Sequence, residues 1–283
     1  MWSRAVLKEA AKTNFNKAYK QSVIVCIIVY IIGAVFSGVS NSSSNTIQNN
    51  VNYNQYYEYE GEFENYEETI IDSDPFFTFS VDGVMGSFFD KILDAISNPL
   101  SMTLITLVMT SIMILSSVIR AIIYNPIIVG KNNFFMGVRE EERKVGDIFF
   151  LFDKSKFLKP AWTMFCMDFF IFLWTLLLFI PGIYKSLEYS MIPYILAENP
   201  EIDRSRAFEL SKHMMNGQIW DVFVLDLSFI GWHLLSSITF GIVGIFYVNP
   251  YRESTFAELY AVLREGAIED GFTNKDELPG FKL

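Results

Sequence analysis

The sequence predicts an all-α protein, a polytopic transmembrane bundle of about six crossings arranged as three hairpin repeats with amphipathic surface helices. Three observations predict this fold. Hydrophobic residues make up 51% of the 283 residues and are gathered into long runs. Basic residues fall between these runs in a pattern that places nearly all of them on one side of a membrane. Finally, each proposed hairpin has Gly near its turn and Pro in its second helix.

The predicted crossings are apolar runs that approach the roughly 20 helical residues needed to span a hydrocarbon core ~30 Å thick. The first crossing, 22–39, is 18 residues without a charge, and it follows a short helical segment, 1–21. A cleaved signal peptide is the alternative, but this run is long for a signal peptide's apolar core. The remaining crossings lie near 101–130, 161–181, 183–198, 219–238 and 242–262. They belong to a membrane bundle, 99–265, that precedes a tail, 266–283.

Orientation follows from the basic residues, which favour the cytoplasmic side of a membrane. With six crossings, every Lys and Arg except Lys91 and Lys185 lies on one side, so both termini are expected in the cytoplasm. The 183–198 crossing is the weakest, because it contains Lys185, Glu188 and Pro193. A five-helix bundle without it would put the basic segment 198–218 outside. The last two crossings come from one long run, in which Thr239-Phe240-Gly241 predicts a tight hairpin turn.

The loop 40–98 carries the acidic character of the chain. It holds 11 Asp and Glu and one Lys, so its charge equals the net charge of −10 of the whole protein. This distribution argues against a nucleic-acid partner, which needs a basic face. The acidic run is either a surface for a protein partner or cation, or a solvated linker whose charges repel one another. Ser80 to Ser97 could form a short amphipathic helix on the membrane.

Each odd-numbered crossing follows a stretch that can form an amphipathic helix on the inner surface. Apolar residues recur at helical spacing in all three stretches, and basic residues accompany them: Leu7, Ala11, Phe15, Ala18; Ile148, Phe149, Leu151, Phe152; Ala207, Leu210, Met214, Met215. Such helices are expected to lie among lipid headgroups, anionic ones in particular. Asp203 is placed to cap the third of them.

Polar residues inside the predicted crossings form the candidate site. Its members are Arg120, Asn125, Asp168, Lys185, Glu188, Asp226, Asn249, Arg252 and Glu253, and the helix breaks are Pro126, Pro193 and Pro250. Most of the charges accompany the prolines on even helices, so we expect even helices to face the interior and odd helices to face lipid. The set is either a polar pathway or structural pairing, with Lys185 and Glu188 one turn apart and Arg120 and Arg252 extending to the interface.

The sequence offers little material for catalysis or metal binding. Cys26 and Cys166 lie inside apolar runs, and His213 and His233 are the only histidines. Phosphate loops, serine nucleophile elbows and zinc-binding helices are not found. We therefore expect no enzyme activity and no cofactor, with His213 at the headgroups and His233 bonded within the bundle.

Several elements resemble an uncharacterised bacterial membrane family, domain of unknown function 975. They are Ala11–Phe15 (AKTNF), Ile192–Glu201 (IPYILAENPE), Ala207–Gly217 (AFELSKHMMNG), Leu225–Trp232 (LDLSFIGW), Leu234-Leu235, Thr239–Ile242 (TFGI) and Asn249–Tyr251 (NPY). The resemblance covers the chain to about Arg264, while the 40–98 loop departs from it. It implies a polytopic plasma-membrane protein, mostly of Gram-positive bacteria, without a known activity.

Two functions remain open. The first is a non-enzymatic scaffold or accessory component of the envelope, with anionic lipid at the basic face and a protein partner at the acidic loop. The second is a small-solute transporter or channel-like protein along the Pro-broken even helices. A continuous polar cavity lined by Arg120, Glu188, Asn249 and Arg252 would favour transport. Interlocked ion pairs in a closed bundle would favour the scaffold.

Overall fold

Helices α1 (Arg4–Lys17) and α2 (Tyr19–Asn41) begin the chain and meet at Ala18 at an angle of 95°. The computed structural model describes residues 2–41, 99–153 and 157–280, and these contain helices and no β-strand. The acidic run of the 40–98 loop and the predicted helix at 80–97 lie outside the described residues. The chain divides into two units, 1–37 with 118–283 and 38–117, which are described separately.

The second hydrophobic region is helical from Pro99 to Gly137. Helix α3 (Pro99–Ile119) is followed by one π-helical segment, Arg120–Tyr124, and by α4 (Asn125–Gly137). A 3₁₀ turn, Val145–Phe149, and the short α5 (Phe150–Asp153) then pack against α4. The contact is close because Gly130 has no side chain, and a Cβ there would lie 1.8 Å from the Ile148 carbonyl oxygen.

A helical hairpin follows, made of α6 (Leu158–Leu177) and α7 (Phe179–Glu188). Its turn is the single extended residue Leu178, not Gly182 as the sequence predicted. Gly182 lies inside α7, where a Cβ would come 2.3 Å from Thr175 Oγ1 on α6. The glycine therefore allows the two helices to pack closely and does not form the turn.

The remaining helices are α8 (Ile192–Glu198), α9 (Arg204–Met215), α10 (Ile219–Leu227), α11 (Ile230–Ile238) and α12 (Asn249–Glu269). Asp203 caps α9 by accepting the Ser205 backbone N–H at 3.0 Å, as predicted. The turn predicted after α11 is also confirmed: Phe240 and Gly241 have φ values of 51° and 84°, and a π-helical segment, Gly244–Val248, leads back into α12. The chain after α12 lies against α9 and α12.

Three helices in the described part of the chain are long and apolar enough to cross a membrane. They are Pro99–Gly137, Leu158–Leu177 and Ile219–Ile238, and the bent pair α1–α2 is a fourth candidate. The 183–198 and 242–262 segments are not among them. The first is not one helix, because turn residues 189–191 separate α7 from α8.

The expected division into buried even helices and lipid-facing odd helices holds only in part, because burial also changes along each helix. The even segments α4, α8 and α12 hold many buried residues, whereas α3, at the start of the second crossing, holds none. In α6 the buried residues lie between Pro160 and Met167, whereas Leu176 and Leu177 are exposed. In α10 Val222 and Leu225 are buried, whereas no residue of α11 is. The buried ends of α6 and α10 meet a group of helices that also have many buried residues, α1, α4, α8, α9 and α12, and we call this group the packed layer. The exposed ends, 172–183 and 230–246, are the apolar tips.

The three segments predicted to lie on the membrane surface bury apolar residues against other parts of the protein. Leu7, Ala11 and Phe15 of α1 are buried, and α1 packs against α12. Ile148 and Leu151 are buried beside α4, and the apolar residues of α9 are buried against α8 and α12. These faces are covered by protein and are not available for insertion among lipid headgroups, which corrects the sequence interpretation.

Candidate polar cavity and ion-pair network

The structure divides the predicted polar residues into three groups. The first joins the start of α4 to α6. Asn125 Nδ2 donates to Asp168 Oδ2 at 3.5 Å, and Arg120 lies near enough to interact with the Asp168 charge. The Arg120 guanidinium also lies 5.6 Å from the centre of the Tyr124 ring, which is cation–π distance. This group links neighbouring helices through one long hydrogen bond.

The second group is the predicted pair on α7. Lys185 Nζ donates to Glu188 Oε2 at 2.5 Å. The Lys185 ammonium lies between 5.6 and 5.8 Å from the ring centres of Trp174, Tyr184 and Tyr189. One carboxylate and three aromatic rings therefore surround its charge. This arrangement agrees with structural pairing, the alternative to a polar pathway in the sequence analysis.

The third group lines a cavity of about 310 Å³ between α10–α11 and α12. Arg252 Nε and Nη2 both bond to Asp226 Oδ1, at 2.8 and 2.7 Å. Glu253 bonds to Lys131 Nζ at 2.7 Å, so its charge is compensated from α4. Asn249 and His233 complete the polar lining. His233 is an exposed side chain at this cavity, whereas the sequence analysis expected it to bond within the bundle.

The predicted helix breaks lie at helix starts. Pro126, Pro193 and Pro250 occupy the second positions of α4, α8 and α12, respectively. Pro193 follows the turn at 189–191, so its missing N–H is one that a helix start leaves unbonded in any case. Pro126 and Pro250 share a further feature, since each follows an Asn and a five-residue π-helical segment. The wider π turn accommodates the proline without ending the helical path.

A network of ion pairs in the packed layer joins elements that are distant in sequence. Glu198, whose side chain is 0% exposed, accepts Arg264 Nε at 2.7 Å, Tyr260 Oη at 2.6 Å and the Gly280 N–H at 2.6 Å. Glu258 accepts Arg139 Nε at 2.8 Å and Asn14 Nδ2 at 2.6 Å, which connects α1, α12 and the end of α4. These bonds tie the helices together.

The segment after α12 is fixed by a further pair. Arg206 Nε and Nη2 donate to Glu277 Oε1 and Oε2 at 2.8 and 3.0 Å, and Thr273 Oγ1 donates to Glu277 at 2.7 Å. The Arg206 hydrogen bonds hold the pKa of the Glu277 carboxyl below its usual range. A bidentate pair of this kind fixes orientation as well as proximity.

The sequence analysis found the members of the cavity but not the network. The cavity brings together four of the predicted residues, Asp226, Asn249, Arg252 and Glu253. Arg120 and Glu188 do not line this cavity and belong to two separate groups. Lys131, Glu198, Arg206 and Glu277 were missed as partners. The ion pairs of these residues with distant elements join positions 66 or more apart, for example Glu198 and Arg264, and no local spacing signals such a pair.

The described residues are helical, three of their helices are long and apolar enough to cross a membrane, and charges gather in the packed layer. These features indicate a helical protein of the membrane-associated class. The sequence model of a family described as "Protein of unknown function (DUF975)" matches residues 1–267, and the chain belongs to this family. No curated protein and no solved structure matches the chain. The match confirms the resemblance and leaves the C-terminal residues that reach Glu198 and Arg206 outside the matched range.

Proposed function

We propose that the protein is a non-enzymatic scaffold or accessory component of the bacterial plasma membrane. The observation that carries the proposal is the ion-pair network of the packed layer. Its charged groups are bonded to one another across helices, through Glu198–Arg264, Glu258–Arg139 and Arg206–Glu277. Charges held this way favour a fixed platform over a path for a solute, because moving a solute past them requires breaking buried pairs.

The proposed topology has six crossings as three hairpins, with the packed layer and both termini in the cytoplasm. Close contacts at a glycine support the pairing of crossings within each hairpin: Gly33 with Tyr124, Gly182 with Thr175, and Gly244 with Ser236. The distribution of Lys and Arg supports the orientation. Anionic lipid would then meet exposed basic residues of α1, such as Arg4 and Lys12, through charge and without insertion of an apolar face.

Cysteine labelling in whole cells tests the topology. Single cysteines at Ser205, Asn274 and Asn50 are introduced into a chain whose Cys26 and Cys166 are replaced by Ser. A membrane-impermeant maleimide should modify the Asn50 position in intact cells and the other two only after lysis. Modification at Ser205 or Asn274 from outside would reject the six-crossing arrangement.

A pull-down from native membranes tests the scaffold function. The full chain is compared with a chain lacking the 40–98 loop, and with a chain in which the acidic residues of that loop are replaced by Asn and Gln. We expect a specific membrane-protein partner that is lost with the deletion. Retention by the neutralised loop would assign binding to its aromatic residues, and absence of a specific partner from all samples would count against a scaffold.

The alternative function is a small-solute transporter, and the cavity at Arg252 is the feature that favours it. Its lining mixes polar and apolar side chains and does not include Arg120 or Glu188, so it does not provide the continuous polar path that transport would require. Reconstituted protein tests this alternative directly. Solute-dependent currents or uptake that are lost in Asp226→Asn and kept in Glu201→Gln, a change at an exposed pair, would favour transport over the scaffold.

A further inference from the structure

We propose that the cavity between α10–α11 and α12 binds a zwitterionic group, an ammonium joined to a phosphate, supplied by the headgroup of phosphatidylethanolamine. The inference goes beyond the scaffold function and rests on the membrane crossing of Ile219–Ile238. It starts from an ion pair that is not enclosed by protein. The side chains of Asp226 and Arg252 are 42% and 33% exposed, although both belong to predicted crossings.

An ion pair open to hydrocarbon is unfavourable, so it needs polar cover. Asp226 lies six residues, ~9 Å along the helix, from Trp220, a residue type enriched at the membrane interface. Trp220 is 72% exposed, consistent with an interfacial position. At that depth the available cover is water or a lipid headgroup drawn inward by local thinning of the bilayer.

The free hydrogen-bonding groups of the pair match a dipolar ligand. Both bonded nitrogens of Arg252 go to Asp226 Oδ1, so in the described part of the chain Asp226 Oδ2 and Arg252 Nη1 remain for a ligand. Glu253 is already compensated by Lys131. With the Lys131–Glu253 pair counted as neutral, the cavity lining carries one further carboxylate, Asp226, and one guanidinium, Arg252. A zwitterion satisfies both groups, whereas a simple anion or cation would be repelled by one of them.

The neighbouring side chains define how the lipid would lie. Phe223 lines the cavity and offers an aromatic face to an ammonium. His233 and Asn249 offer further hydrogen bonds to a phosphate. An apolar path leads from the cavity along α11. It consists of Ile230, Leu234 and Ile238, which are 57%, 63% and 75% exposed. An acyl chain fits this path, which favours a lipid over a free zwitterion of the same chemistry.

Native mass spectrometry of the full chain in detergent tests the proposal, with titrated phosphatidylethanolamine, phosphatidylcholine and phosphatidylglycerol. We expect the ethanolamine lipid to bind most tightly, because choline cannot donate a hydrogen bond to Asp226 and glycerol brings no positive charge. Asp226→Asn should weaken its binding by about tenfold, the effect of one charge-assisted hydrogen bond. His233→Ala, a change at an exposed side chain, should also weaken it without altering the unfolding temperature.

Ser237→Ala is the matched control, one turn from His233 on the same helix and outside the cavity lining. It should bind like the unmodified chain. Equal binding of the three lipids, or unchanged binding in both Asp226→Asn and His233→Ala, would overturn the proposal. Free phosphoethanolamine binding as tightly as the lipid would support the zwitterion site but reject a lipid as its source. Since the labelling experiment reports topology alone, failure of the crossing and failure of the site are distinguishable.

Discussion

Glu198 joins α8 to α12 and to the C-terminal segment. Its carboxylate is fully buried and accepts three donors from α12 and the C-terminal segment. We expect Glu198→Ala to destabilise the protein by roughly 3–5 kcal/mol, because it removes the buried carboxylate that balances the charge of Arg264. Chemical unfolding in detergent, followed by tryptophan fluorescence, measures the change.

Glu201→Ala is the control for this prediction. Glu201 pairs with Lys159 at 2.9 Å, but the two side chains are 44% and 64% exposed. Removing it should change the stability by about 0–1 kcal/mol, the usual range for a surface pair. Similar losses from the two substitutions would contradict the distinction between the network and the surface.

Glu277 gives the packed layer a dependence on pH. The hydrogen bonds from Arg206 lower the pKa of the Glu277 carboxyl in the folded protein. Its contribution to stability is therefore complete above the unfolded pKa of about 4.3 and is lost as the pH falls through the lower folded value. The difference in unfolding free energy between the unmodified chain and Glu277→Gln should shrink across that acidic range. A difference that stays constant with pH would show that Glu277 acts through shape alone.

At the scale of elements, several boundaries could be predicted from the sequence. The cap at Asp203 and the turn at Phe240-Gly241 follow from local residue chemistry, and the structure confirms both. The turn at Leu178 could not be predicted, since no Gly or Pro marks it and Gly182 is a stronger turn signal. The burial of the α1 face was also missed. An amphipathic helix has the same pattern whether its apolar side meets lipid or protein.

The packing of α4 on the 3₁₀ turn provides an element-scale prediction. Gly130→Ala would place a methyl group against the Ile148 carbonyl, and the backbone would have to move. We expect a loss of about 1–3 kcal/mol, typical of overpacking, measured as a lower unfolding temperature and folded yield. Gly266→Ala is the matched control, because a Cβ at this α12 position meets nothing within 4 Å. It should be neutral or stabilising, by up to about 1 kcal/mol.

The unit formed by 1–37 and 118–283 has a charged packed layer and apolar tips, and this division predicts how deeply its tryptophans lie in a bilayer. Trp174 and Trp232 are on the tip-bearing helices, whereas Trp2 bonds to Gln218 in the packed layer. In chains that keep one of the five tryptophans, lipids brominated on their acyl chains should quench Trp174 and Trp232 strongly and Trp2 weakly. Equal quenching of all three would contradict a membrane position for the tips.

The sequence predicted the helical class, the family and the apolar runs, because these depend on composition and on short motifs. It predicted the residues of the Asp226–Arg252 cavity as polar groups in apolar surroundings. It could not predict that burial would follow position along each helix, since hydrophobicity is equal in a packed core and in a lipid-facing surface. The number of crossings and the 40–98 loop's role stay predictions.

The bond from the Gly280 amide to Glu198 has a consequence for biosynthesis. The two residues are separated by 82 positions, so the carboxylate is made long before its last donor. In the proposed topology, the charged layer stays incomplete during translation while the hydrophobic segments are already entering the membrane. We therefore expect the apolar segments to insert first and the ionic layer to close last. A ribosome-bound chain arrested before Gly280 is exposed should consequently be more sensitive to protease in its basic loops than the released chain.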